Sequence, residues 1–261
     1  MHRQRISLWI AFLLVTAVAV RASSAAEELP APLRKMSTVL GHAVEDQNGK
    51  DAGHIKDVIF EAGTGDVTYT VLTLGGVAGL GEKLFMVPWY ALQQPISADT
   101  FRLAMTAEQL KHAPSFEADK WPDMEDRHWT DAVHVYYGKV PTLGKHLPPK
   151  AADDERGGYV PRHYLRASAV LQSNIANPQG QRLGDIKDVA FDTAAGKVTY
   201  AVLGFGGIIG LGEKLFAIPW SELRESPGLG TFTVDVDKNT LQEAPGFDKN
   251  HWPRTAESIK R

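Results

Sequence analysis

The residues that could carry chemistry come in pairs 131 positions apart: Asp57 with Asp188, Glu82-Lys83 with Glu213-Lys214, and Trp89 with Trp220. A carboxylate set in an apolar strand could act as a general acid or base. That work needs a second acid, a histidine or a nucleophile at a fixed place. The two copies retain none, since His54 becomes Asp185, His112 becomes Glu243, and Lys120 becomes His251. Asp57 and Asp188 are therefore expected to be a sheet-edge charge or to cap a turn.

Other catalytic and metal signatures are missing from the sequence. There is no cysteine nucleophile and no Gly-x-Ser-x-Gly elbow. His128, His134, His146 and His163 lack the i, i+4 spacing and flanking acids of a zinc helix. No metal, no cofactor and no catalytic residue is expected, and an enzyme is the least supported reading. Gly75-Gly76-Val77-Ala78-Gly79-Leu80-Gly81, repeated from Gly206 to Gly212, invites a phosphate-loop reading. Such loops open a helix, however, and these lead into a strand with Leu after each lysine, so a wide structural turn is expected. What remains is binding: Glu82, Lys83, Glu213 and Lys214 as charged lips of that turn, and Trp89 and Trp220 as aromatic anchors for a partner. Against this, adjacent opposite charges on a turn are ordinarily solvated, and a tryptophan ordinarily belongs to a core or covers an edge.

The elements that position these residues are strands. Gly41 to Glu45, Gly53 to Phe60, Val67 to Leu74, Lys83 to Trp89 and Phe101 to Met105 are rich in β-branched and aromatic residues and separated by Asn48-Gly49 and Gly63 to Asp66 turn signals. Val67, Tyr69 and Val71 load one face of the third strand, and Leu72 and Leu74 the other, so both faces should be covered. Pro88 belongs at a strand end or edge. Thr106 and Gln109 have the spacing of a capping box for a short helix through His112. The plan recurs at the same offset through Trp252-Pro253, which marks a tandem domain and not a solenoid repeat.

The expected organisation is a signal peptide at 1–26, a first unit at 37–122, a joint at 123–166, a second unit at 167–253 and a tail at 254–261. Glu27 to Lys35 and Tyr159 to Arg166 read as leaders into the two units. In the joint, Trp129, Val133, Tyr136 and Tyr137 fall at helical spacing, predicting an amphipathic helix from Asp126 to Tyr137 that ends at Gly138 and docks on one unit. A Pro-rich linker follows it.

Arg3 and Arg5, the 15-residue apolar run Ile6 to Val20, and Ser24-Ala25-Ala26 have the order of a secretory signal. The run falls short of the roughly 20 residues that a spanning helix needs. Cleavage after Ala26 and a periplasmic or secreted location are expected, with no transmembrane span remaining. The mature chain then carries 25 basic against 31 acidic residues, a net charge of −6, which gives no electrostatic basis for binding nucleic acid. Without cysteine, stability must come from packed cores.

The run from a strand-opening glycine through Ile-Lys-Asp-Val, a turn glycine, Val-Thr-Tyr-x-Val-Leu, Gly-Gly-x-x-Gly-Leu-Gly-Glu-Lys and Pro-Trp-x-x-Leu resembles the PRC-barrel domain, named for the reaction centre H subunit. The resemblance covers roughly residues 37–105 and 168–236. It implies a mainly β fold with two small antiparallel barrels in tandem, used as an adaptor for other macromolecules. The photosynthetic and ribosomal roles of cytoplasmic relatives do not carry over to an exported chain. The resulting expectation is a non-enzymatic adaptor for a protein or envelope component. The alternative is a small-ligand or metal-binding module, with Tyr69, Tyr200 and the joint aromatics lining a cleft between the barrels.

Overall fold

The structure, a computed structural model, describes residues 33–74, 83–93, 100–138, 163–206, 213–226, 230–257 and 259. The signal segment, most of both glycine stretches with Glu82, and the Pro-rich linker lie outside the described residues. From Ala31 onward the chain forms one compact unit.

In chain order the first half contains β1 (Leu33–Lys35), α1 (Met36–Val39), β2 (Ala43–Glu45), β3 (Asp51–Glu61), β4 (Val67–Thr73), β5 (Lys83–Pro88), β6 (Leu92–Gln93), β7 (Phe101–Leu103), α2 (Ala107–Leu110), β8 (Ser115–Glu117) and α3 (Arg127–Tyr137). The second half contains β9 (Tyr164–Arg166), α4 (Ala167–Val170), β10 (Asn174–Ala176), β11 (Arg182–Asp192), β12 (Lys197–Phe205), β13 (Lys214–Pro219), β14 (Arg224–Ser226), β15 (Thr231–Thr233) and α5 (Lys238–Glu243). Each half builds one mostly antiparallel sheet, in the order β6-β7-β2-β3-β4-β5-β8 and β13-β12-β11-β10-β15-β14. The parallel pairs are β2 with β7 and β10 with β15.

The local reasons are those of the sequence. Every residue of β4 from Val67 to Leu72 is buried, as the apolar load on both its faces requires. Gly53 opens the close pairing of β3 and β4, where a Cβ would come within 1.9 Å of the Thr73 carbonyl oxygen. β5 stops at Pro88, and Trp89 to Ala91 make a 3-10 turn. Thr106 and Gln109 cap α2 reciprocally. Asp126 caps α3, which ends at Gly138 and lies against β5 with Val133 and Tyr137 fully buried.

The two leaders differ from expectation. β1, which precedes the first half, pairs with β11 of the second, with Leu33 opposite Asp192 and Lys35 opposite Ala190. β9, which precedes the second half, pairs with β3 of the first, with Tyr164 opposite Glu61 and Arg166 opposite Ile59. The halves thus exchange arms in the same register. Each arm satisfies backbone groups that a long strand would otherwise expose at its edge.

Candidate functional site

The seam between the halves is built from contacts that occur twice with the halves interchanged, the arrangement of a two-fold dimer within one chain. At its centre the Val67 amide donates to the Gly196 carbonyl, and the Val198 amide donates to the Gly65 carbonyl. Gly65 has φ 76°, and a Cβ there would meet the Val198 carbonyl oxygen at 2.9 Å, so the turn requires glycine. Asp66 and Lys197, equivalent positions in the two copies, face one another and pair at 2.8 Å. In a symmetric dimer of identical halves that position would meet its own charge.

Asp57 and Asp188 flank this centre. The β3 ladder slips one residue between Ile55 and Asp57, and the β11 ladder slips between Ile186 and Asp188, so each Ile-Lys-Asp-Val run contains a bulge that re-aims its aspartate. The Asp57 carboxylate accepts from the Ser168 amide at 3.0 Å, the Ser168 hydroxyl at 2.5 Å and its neighbour's amide, that of Val58, at 2.9 Å. Asp188 does the same for Ser37 (3.0 and 2.5 Å) and Val189 (2.9 Å). The residues at the caps of α1 and α4 are Lys35 and Arg166, whose side chains make no capping bond. A helix start leaves amides unpaired, and here the acceptor comes from the other half. Both aspartates are buried, at 2 and 6% exposure. Burial raises the Asp57 pKa, outweighing the opposing bonds from Ser168. The aspartates are thus neither exposed sheet-edge charges nor caps of a turn in their own half: each is buried and caps the start of a helix in the other half.

Trp89 and Trp220 are 6 and 4% exposed. The Trp89 ring packs edge-on against Phe191 at 5.1 Å, and Trp220 packs against Phe60 at 5.2 Å and donates its indole N–H to the Ala62 carbonyl at 2.9 Å. Each binds the opposite half and neither is available as an anchor for an outside partner. The turn lips fare differently. Glu213 pairs with Lys187 at 2.7 Å, and Lys214 donates to the carbonyls of Gln242 and Ala244 at the end of α5. Lys83 is exposed.

Tyr69 and Tyr200 do not line a cleft between the halves. The Tyr69 hydroxyl lies 2.9 Å from His134 Nε2 beneath α3, and the Tyr200 hydroxyl donates to the Pro253 carbonyl beneath the C-terminal tail. Burial pushes the Tyr200 pKa up to about 12 and holds His134 below the usual imidazole value, against the opposing pull of Asp131. The tail tryptophans also serve the exchange, with Lys35 over the Trp252 ring and Arg166 over Trp121, each at 4.5 Å. Sequence reasoning missed Ser37, Ser168 and both arms. The available signal was the repetition of basic-x-Ser (Lys35 to Ser37, Arg166 to Ser168) ahead of each retained aspartate.

A comparison with protein families places these observations. The PRC-barrel domain matches residues 34–110 and again 163–241. The chain belongs to the PRC-barrel family. Both matches begin within or just before the exchanged arms, so in this PRC-barrel protein the arm is part of the repeating unit and not a linker. Compared with curated proteins, the chain finds no match. Among the described residues no helix is long and apolar enough to cross a membrane.

Proposed function

We propose that this tandem PRC-barrel protein is a non-enzymatic adaptor, exported through its N-terminal signal, that binds a protein or envelope component. The observation that carries the reading is the seam. Exchanged arms, reciprocal Asp–Ser caps and buried tryptophans tie two interaction modules into one body, so their outer faces are offered at a fixed spacing. Two contacts held at fixed spacing reinforce one another without a flexible tether. The location rests on the basic, apolar and small-residue order of residues 1–26.

The test is affinity capture of envelope proteins on residues 27–261, beside the same chain carrying Glu82→Arg and Glu213→Arg and a blank matrix. A specific partner retained by the unaltered chain supports the adaptor, and its loss from the altered chain assigns the turn lips to the interface. No partner above the blank overturns the reading.

A further inference from the structure

The seam can be closed in more than one way. Its contacts join each residue to the equivalent of another residue's partner: Trp89 meets Phe191 where Trp220 meets Phe60, and Asp57 holds Ser168 where Asp188 holds Ser37. The Val67 amide meets the Gly196 carbonyl where the Val198 amide meets that of Gly65. Such a face is self-complementary. It can take a half from a second copy of the chain with the same rings and bonds that it offers its own, and the arms add backbone pairing that any sequence supplies.

Asp66 and Lys197 break this sameness. They stand opposite one another in an isolated antiparallel bridge at the centre of the seam, paired at 2.8 Å with side chains 42 and 47% exposed. The backbone bonds around them belong to Gly65, Val67, Gly196 and Val198, and neither half-exposed side chain is needed to fill the seam. A first half on a second half matches the two charges. First on first, or second on second, sets like charges face to face, which opposes pairing.

We propose that the seam is also an interface for a second copy of this chain, formed when two chains exchange halves, and that Asp66 with Lys197 decides which halves pair. The pair admits the closed chain and the dimer in which each first half takes the other chain's second half. The exchanged dimer carries two complete sets of outer faces, whether or not the chain is an adaptor. Tethering favours the closed form: effective concentrations between linked modules are of order millimolar, so at about 100 μM about a tenth of the chains should be exchanged.

The test re-pairs the charges in residues 27–261. Asp66→Lys sets a lysine against Lys197, and Lys197→Asp sets an aspartate against Asp66, so each variant is mismatched in its closed chain and in its own dimers. Between the two variants every pairing matches. Turning a facing exposed pair from like to opposite charges is worth about fivefold, hence about 25-fold for the two seams of a dimer. After mixing in urea and joint refolding at about 100 μM, native mass spectrometry should find about half of the chains as heterodimer, against about a tenth as dimer for either variant alone. Added salt should shrink the difference. A second pair of variants removes the mismatch: with Asp66→Cys in one chain and Lys197→Cys in another, both otherwise free of cysteine, oxidation after joint refolding should link positions 66 and 197 between chains.

A heterodimer no more abundant than the dimer of either variant alone, or absence of the interchain disulfide, would overturn the proposal. So would a heterodimer that forms at once on mixing the folded variants, because their opposite charges would then be meeting on outer surfaces and not through an opened seam. Where circular dichroism shows that a charge variant has not refolded, the cysteine pair decides. Envelope capture tests the adaptor and leaves the exchange untouched.

Discussion

Replacing Asp57 by Ala tests whether the halves stand or fall together. The change strips an acceptor from three donors, the Ser168 amide and hydroxyl and the Val58 amide. Bonds to a charged acceptor contribute about 1.5–3 kcal/mol each, but water entering the space recovers part of the loss, and losing a helix cap alone costs about 0.5–2 kcal/mol. A net loss of about 3 kcal/mol is expected. At about 2–4 °C per kcal/mol for a chain of this size, the melting temperature should fall by about 6–12 °C. Asp57→Asn keeps a carbonyl acceptor and an amide that the Ser168 hydroxyl can accept from, so its cost should stay near 1 kcal/mol. Asp188→Ala should match Asp57→Ala, because its bonds to Ser37 and Val189 are the same. The assay is differential scanning calorimetry of residues 27–261. The whole transition should move as one peak. A shift under about 2 °C, or a split trace in which one peak stays in place, would refute the argument that each half caps the other.

The raised pKa of Asp57 gives the folded chain the firmer hold on a proton. That contribution is fully present below the ordinary 3.8 and is lost as pH rises through the folded value, so urea midpoints of Asp57→Asn should lack this decline on the acid side. His134 runs the other way: its folded pKa is depressed, so its contribution is present above 6.5 and lost as pH falls through the folded value. His134→Gln should flatten the wild-type loss of urea stability below pH 6.5. Tyr137 buries a hydroxyl that has no hydrogen-bond partner among the described residues, and Tyr137→Phe should be neutral or stabilising by up to about 1 kcal/mol in the same titration. Trp220→Phe removes the indole bond to the Ala62 carbonyl and part of the packing on Phe60, and should destabilise by about 2 kcal/mol.

Local chemistry was legible in the sequence and distant pairing was not. β4 announced itself through β-branched residues on both faces, α2 through its Thr106–Gln109 box, and α3 through the spacing of Trp129, Val133 and Tyr137, because each signal is complete within one or two turns of chain. β1 and β9 are three residues long and end in Lys35 and Arg166, too short for alternation to register, and their partners lie in the other half. The role of Asp57 could be narrowed to a charge or a cap, but the serine that it caps is 111 positions away. Trp89 and Trp220 illustrate a different limit. A large aromatic ring retained in both copies suits an anchor for another molecule and a plug for the opposite half equally well, and only the geometry of Phe191 and Phe60 separates the two.

The exchanged arms also set where this protein can be cut. Fragments ending at Gly138 and beginning at His163 each carry the strand and serine that the other needs, and each lacks its own. The chain is in that sense already a split protein with a tether across the break. Severed there, each piece bares the long-strand edge that the other's arm fits, so the pieces have a reason to find one another.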